Sequence, residues 1–501
     1  MNGVYACENA ETLHTHLREW DQFEGFVMSD WGGAHSTASA SRTGLDVEMP
    51  GGAWFTPAKL DAALASGSLT QAAVDTQVTR VLTSMYAVGI MDVPQPTGSS
   101  AANATSPAHA ALAQHLAEQA ATLLRNERAT LPLHDAAATT VAVIGAAADC
   151  NASAPVSPSW GWAPSVGCIN SGGGSGSVAA PYVTPILAAI RHRSAGVITY
   201  DSGAVPAKAA ATAAAADVAV VVVGTTSGES VDRNGTSLPA QQLAYLKAVA
   251  ASQPNTVVVV MAPGAVTMDW ADTVASVVCF FMPGEAQGDA VARVLYGDVN
   301  PSGKTPVTMP RVENEMGLTP QQYPGLDQHG KPVPAACGPD YPIPHATYSE
   351  RLLVGYRWYT AHPATTPAFS FGTGLSYTTF AYGRTAIATV ASAADGASGG
   401  TTANRTLTFA LTNTGRVAGA EVAQLYLAFP AAAGEPPLQL KGFQKVLLQP
   451  GQSQQVSFVL DPHALSVFDA GQRRWIEQHG EFTASIGGGL ADLRQHLAFA
   501  N

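Results

Sequence analysis

The chain has 501 residues, 46% of them hydrophobic and 12% charged, with a formal charge of −12. That length exceeds one core and suggests roughly three domains, and a charged fraction under the usual ~25% implies a surface rich in Ala, Gly, Ser, Thr and Gln. The acidic balance argues against nucleic acid and anionic membrane as partners, and no run approaches the roughly eighteen apolar residues of a membrane-crossing helix.

The N-terminus carries no leader-like stretch. It passes at once into a segment with helical spacing over 11–20, with Leu13, Leu17 and Trp20 on one face, which reads as entry into the middle of a domain. Strands are predicted over 25–29 and 44–49, then helices near 57–66 and 70–88, the second with Thr70 as N-cap. Residues 92–106 lack periodicity and are rich in Pro, Ser and Gly, as a linker is.

Helix and strand then alternate. A helix over 108–126 precedes strands at 141–145 and 197–200, and a helix near 206–216 leads to the valine-rich strand 218–224. Helix 239–251, strand 256–261, strand 274–281 and helix 285–297 follow. Continuous β-branched runs separated by helices predict a mostly parallel sheet covered on both faces. Its ligand crevice is expected beyond the carboxyl ends of the strands. Residues 311–383 are irregular, with many Pro, Gly and Tyr. Beyond them Leu407, Phe409 and Leu411 alternate with polar residues, and 422–429 and 456–460 read as further strands separated by turn signals such as Asn413-Thr414-Gly415. That pattern predicts a small antiparallel β-sandwich.

The cysteines are Cys7, Cys150, Cys168, Cys279 and Cys337, with no CxxC pair to suggest a zinc ribbon or a thioredoxin-like site. Cys150 and Cys168 bracket a loop-like stretch and suit a disulfide in an oxidising compartment; free buried thiols fit the other three equally well. The histidines show no metal-ligand spacing, so no metal is expected. The glycine-rich loop 172–177 lacks a GxGxxG register and a Lys-Ser/Thr ending, which weakens a nucleotide reading.

Two acids carry the chemical signal. In Gly25-Phe26-Val27-Met28-Ser29-Asp30-Trp31 an apolar strand runs into a carboxylate. Burying such a group is costly unless it is used. The neighbouring Trp31 offers a flat face of the kind that stacks on a sugar. Glu229 follows the carboxyl end of the valine-rich strand, with Asp232 and Arg233 just beyond it, and an Arg near two acids can hold one of them ionised. Singly, Asp30 also fits a helix cap or ion-pair partner, and Glu229 solvated surface. As a pair they suit glycoside hydrolysis, where one carboxylate attacks the anomeric carbon and the other protonates the leaving oxygen, about 5–5.5 Å away when configuration is retained. The acid must begin protonated, so its pKa is expected above the free value of roughly 4.3.

Together these segments resemble the family 3 glycoside hydrolases, the β-glucosidase and β-xylosidase group. Residues 3–9 and 25–50, ending Gly-Leu-Asp-Val-Glu-Met-Pro, look like the last part of that family's catalytic barrel. Residues 172–178, 224–238 and 297–306 look like its α/β sandwich, 348–359 and 369–380 (Phe-Ser-Phe-Gly-Thr-Gly-Leu-Ser-Tyr-Thr-Thr-Phe) like its connecting signature, and the tail like its fibronectin type III-like domain. The implied architecture is multidomain α/β: part of a (β/α)8 barrel over 1–91, a linker over 92–107, an α/β sandwich over 108–310, a connecting segment over 311–383 and a β-sandwich over 384–501. The resemblance gives Asp30 the nucleophile's role, Glu229 the acid/base, and Trp31 and Ser175 sugar-binding roles, with Asp232 and Arg233 in support. It implies a retaining, exo-acting β-glycosidase, most directly a β-glucosidase, that needs no cofactor and takes a small oligosaccharide or glycoside. A β-xylosidase or arabinosidase is the alternative. Export is also implied, and a Cys150–Cys168 bond would suit it. A whole barrel needs about 250 residues. The expectation is therefore of an incomplete barrel with exposed edges, and of a chain that is inactive alone if the absent strands grip the sugar.

Overall fold

The computed structural model describes residues 1–94, 97–99, 102–150, 168–175, 178, 180–229, 233–327, 329–332, 345–391 and 403–501. They divide into two units, Met1–Ala104 and Thr105–Asn501.

In the first unit, Glu11–Trp20 winds as a π-type helix. The N–H of Asp21 donates to the carbonyl of His16, five residues back, at 2.9 Å. This wider winding shifts the phase of the predicted stripe, and none of the helix's residues is buried. Extended segments 25–29 and 44–49 run parallel but pair at a single bridge, Met28 to Val47, instead of forming two ladder strands. Among the described residues of this unit no third strand flanks them, so the ladder goes no further. Helices α1 (Ala38–Thr43), α2 (Pro57–Ala65) and α3 (Gln71–Ala87) follow. Thr56 and Thr70 cap the last two, each hydroxyl accepting a backbone N–H at 3.3 Å. Gln77 pins α3 down: its amide donates to the Leu45 carbonyl at 2.6 Å and accepts from the Ser41 hydroxyl at 2.9 Å. Beyond that anchor, Val78, Leu82 and Tyr86, spaced one helical turn apart, are exposed.

The second unit opens with α4 (Pro107–Ala120), which ends earlier than predicted. Thr122–Asn126 is instead an edge strand, β1. The backbone leaves the helix at Ala121, whose carbonyl accepts the Gly303 N–H at 2.9 Å, and Leu123 and Leu124 are buried in the sheet. Tertiary pairing has overridden local helix propensity there. The remaining strands are β2 (Thr140–Ile144), β3 (Val197–Asp201), β4 (Val218–Gly224), β5 (Thr256–Met261) and β6 (Ser276–Cys279). Their order is β1-β6-β5-β4-β2-β3, with β1 antiparallel and every other pairing parallel.

Helices α5 (Ile186–Arg193) and α8 (Gln287–Leu295) join α4 on one face, while α6 (Pro206–Ala214) and α7 (Ala240–Ser252) cover the other. Strand β4 shows why a continuous valine run belongs here. Val220 and Val222 enter one core, Val221 and Val223 the other, and all four are fully buried. Each such side chain contributes about 1.5–3 kcal/mol by leaving water. Cys150 and Cys168 are joined in a disulfide, so the pairing read from the sequence is present. Cys279 is a buried thiol and Cys7 a half-buried one, while Cys337 lies outside the described residues.

The described residues of the irregular segment include a short helix, α9 (Tyr356–Ala361). The sandwich takes its first strand from β7 (Phe380–Tyr382), which pairs with β9 (Ala403–Asn413) beside β8 (Ala386–Ala391) and β12 (Ser453–Leu460). The facing sheet runs β11 (Gln439–Leu448), β10 (Gly419–Ala428), β15 (Glu481–Gly489), β16 (Asp492–Ala500), and β13 (Ser466–Asp469) with β14 (Arg474–Glu477) forms a hairpin. Leu407, Phe409 and Leu411 point into the core between the sheets, as their alternation predicts.

Candidate functional site

The segment carrying Asp30 is held by acids the sequence reading gave no role. Asp46 is buried and accepts from Arg18 at 2.8 Å, Arg80 at 3.0 Å and the Val27 N–H at 2.8 Å. Buried Glu48 takes the N–H groups of Trp54 and Phe55. The Ser29 hydroxyl accepts the Met49 N–H at 2.9 Å. Both acids lie in the quoted Gly-Leu-Asp-Val-Glu-Met-Pro run, but nothing in that run reveals their distant partners.

Asp30 itself is exposed on its unit, and Met28 before it is 51% exposed. The premise of a carboxylate ending a buried strand is therefore corrected: one bridge does not make a covered strand. The Asp30 Oδ1 atom accepts the Trp31 N–H at 2.7 Å, and the Trp31 ring is 64% exposed. The half-buried Cys7 thiol lies close by; burial pushes it up, and the charges of Asp30 and Glu8 push it further.

In the second unit, Glu229 stands on the loop after β4, where a parallel sheet presents its functional groups. Two glycine-rich loops zip together there. The Gly173 N–H donates to the Ser227 carbonyl at 2.9 Å, and the Glu229 N–H donates to the Gly173 carbonyl at 3.1 Å. Gly174 has φ +116°, and a Cβ built on it would lie 2.4 Å from the Cβ of Glu229. Only glycine allows that approach. The Ser175 N–H donates to Glu229 Oε2 at 2.7 Å, and the Ser175 hydroxyl donates to the same oxygen.

Those two donors, the hydroxyl foremost, lower the pKa of the Glu229 carboxyl. The expectation that its environment would raise it is thus reversed: the group is exposed, and both neighbours favour the ionised form. Arg233 is not the cause. Its guanidinium donates to the Ala265 carbonyl at 3.0 Å, and the carboxylate that acts on it is Glu313. Glu313 accepts from the Thr236 N–H at 3.0 Å and the Thr236 hydroxyl at 2.8 Å. Asp232, Gly176 and Ser177 lie outside the described residues. Among the described residues no group of His, Cys, Asp and Glu could hold a metal ion, and no helix is long and apolar enough to cross a membrane.

The sequence profile of the Glycosyl hydrolase family 3 C-terminal domain matches residues 121–377, and that of the Fibronectin type III-like domain matches 421–489. Probable beta-glucosidase L of Aspergillus terreus is 36% identical over an alignment spanning 100% of this chain and 70% of that protein. Among solved structures, a beta-D-glucoside glucohydrolase from Trichoderma reesei superposes with a TM-score of 0.85 at 30% identity, covering 100% of this chain and 71% of its own. DesR, a beta-glucosidase from Streptomyces venezuelae solved with D-glucose, gives 0.83 at 26% identity, covering 100% of this chain and 75% of its own.

Proposed function

The chain belongs to glycosyl hydrolase family 3, and from that premise we propose that it is a retaining, exo-acting β-glucosidase that removes terminal non-reducing sugars from small oligosaccharides or glycosides. The observation that carries the reading is the built Glu229 loop. A glutamate positioned by two bridged glycine-rich loops and a dedicated serine is a prepared carboxylate, exposed but held.

In this reading Asp30 attacks the anomeric carbon, the glycosidic C–O bond breaks, and Glu229 delivers a proton to the departing oxygen. Water then attacks the glycosyl ester, Glu229 takes its proton, and Asp30 is released. Net retention follows from two inversions. The Ser175 donors suit the second half, in which Glu229 acts as a base. For the first half, a leaving-group oxygen displacing the Ser175 hydroxyl brings the carboxyl back toward its ordinary range. Trp31 supplies an exposed apolar face for a sugar ring.

The test is chemical rescue. Asp30→Gly should abolish turnover of a nitrophenyl β-glucoside, and azide should restore it with an α-glycosyl azide as product. Undiminished turnover by that variant would remove Asp30 from the mechanism. Glu229→Ala should spare substrates with activated leaving groups and cripple those with alkyl ones. A panel of nitrophenyl glycosides separates glucosidase from xylosidase or arabinosidase activity.

A second reading, a chain without hydrolytic activity of its own, draws on the first unit. Its buried apolar cluster is Ala34, Ala40 and Leu45, and the Val78, Leu82 and Tyr86 stripe is uncovered. Absence of turnover on the whole panel, with the second unit folded, would favour it.

A further inference from the structure

Two clefts of the second unit share a wall. One is polar, about 460 Å3, and is lined by Arg233, Asn234, Glu313 and Tyr323. The other, also about 460 Å3, is mainly apolar and includes Thr308, Tyr356, Tyr359 and Phe371. Thr236, Asn314 and Leu318 line both, so the two form one groove with a polar and an aromatic end. Each lobe is the size of an ordinary small-molecule site.

A residue at each end carries a buried polar atom with no hydrogen-bond partner among the described residues: Nη1 of Arg233 at one, Oγ1 of Thr308 at the other. A buried donor left unmatched costs about 1–3 kcal/mol, so such atoms ask for a ligand that completes them. The charges inside are already answered. Glu313 faces Arg233 and takes the Thr236 donors, while Glu315 accepts the Tyr359 hydroxyl at 2.8 Å and the Arg311 N–H at 3.2 Å. With Arg233 set against Glu313 and Glu315, the lining disfavours an anionic occupant and leaves room for a neutral one. The aromatic end is held in place: Tyr356 and Phe371 stack at 4.7 Å, and the Tyr356 hydroxyl accepts the Leu440 N–H at 2.9 Å.

A neutral molecule with hydroxyl groups for Arg233 and Thr308, and an apolar face for rigid aromatic rings, is a saccharide. We propose that this groove is a second, non-catalytic saccharide site on the α/β unit. It requires neither Asp30 nor Glu229, so it stands or falls apart from the hydrolytic reading.

The probe is thiocellobiose, whose sulfur bridge resists hydrolysis, added to the full chain while amide hydrogen exchange is followed. Peptides covering 306–318 and 355–361 should become protected. Thr308→Val should shift half-saturation about five-fold higher, as expected for one lost neutral hydrogen bond. Leu318→Trp, on the shared wall, should abolish the protection at an unchanged melting temperature, and this second variant carries the test if the first misfolds. The proposal is overturned if protection appears only around 225–229, if no peptide of the groove responds at saturating probe, or if folded Leu318→Trp is protected like the parent.

Discussion

Ser175 gives both its backbone N–H and its hydroxyl to a single oxygen, Oε2 of Glu229. Two donors on one carboxylate oxygen favour the anion over the neutral acid. The serine thus sets the protonation of the residue to which the acid/base role is assigned, although the two lie on separate loops 54 positions apart.

Ser175→Ala removes the larger of the two causes. The Glu229 carboxyl should move up toward the ordinary glutamate range. In an active enzyme the alkaline limb of kcat/KM, which reports deprotonation of the acid, should move to higher pH. A carbon-13 NMR titration of the Glu229 carboxyl checks the shift without relying on turnover. An unmoved titration midpoint would show that the backbone N–H alone sets the value.

Gly174→Ala should act on the same loop by force. The new Cβ meets Glu229 at 2.4 Å on a backbone with φ +116°, a conformation that L side chains rarely adopt. Glu229 must then shift, and a displacement near 1 Å at a catalytic group can cost roughly 10²-fold in rate. The loop is on the surface, so the melting temperature should barely change. The expected pattern is a fall in kcat on aryl glucosides with stability preserved.

How far the sequence reaches depends on where the determinants lie. Strands β4 and β5 have their predicted bounds because valine runs are local signals that sheet burial reinforces. Thr70 caps its helix for the same reason: the hydroxyl and the N–H it serves are three residues apart. Strand β1 was read as helix because its partner, β6, lies about 150 positions away. The paired extended segments around Asp30 look like strands in composition, yet ladder length depends on neighbours that composition does not encode. Glu229 was legible from its place after β4. Its two serine donors were not, since they reach across 54 positions. Asp46 and its arginines were missed for the same reason.

Asp46→Ala should loosen the first unit alone. It would leave Arg18 and Arg80 facing each other without their carboxylate, and the side chain of Arg18 is only 8% exposed. Stripping one partner from a buried ion cluster costs about 3–5 kcal/mol. It also removes the acceptor for the Val27 N–H, which ties the Asp30 segment to residues 44–49. Hydrogen exchange should therefore accelerate across 25–31 and 44–49 while β4 stays protected. Uniform acceleration through both units would contradict the local role.

Lys304 and Glu421 form the corresponding pair inside the second unit, joining the α/β region to strand β10 of the sandwich. The ammonium lies 3.1 Å from the Glu421 carboxylate, which also accepts the Tyr382 hydroxyl at 2.9 Å, and both charged side chains are largely hidden. Burial pushes the Glu421 pKa up, and Lys304 opposes that push. Lys304→Met deletes the opposition and should destabilise the fold by about 3–5 kcal/mol near neutral pH. The sign of the pH dependence follows from linkage. A carboxyl whose folded pKa is raised keeps its full stabilising effect below the unfolded value and loses it as pH climbs through the folded one. The variant raises the folded value further, so its deficit in melting temperature should be greatest at neutral and alkaline pH. Acidification should shrink it, because the protonated acid needs no counter-charge. Thermal melts of both proteins from about pH 4 to about pH 8 make the comparison, a span that begins near the ordinary Glu value of roughly 4.3 and runs well above it. A deficit constant across that range would mean that Lys304 acts through the packing of its stem and its bond to the Gly374 carbonyl at 2.7 Å, not through its charge.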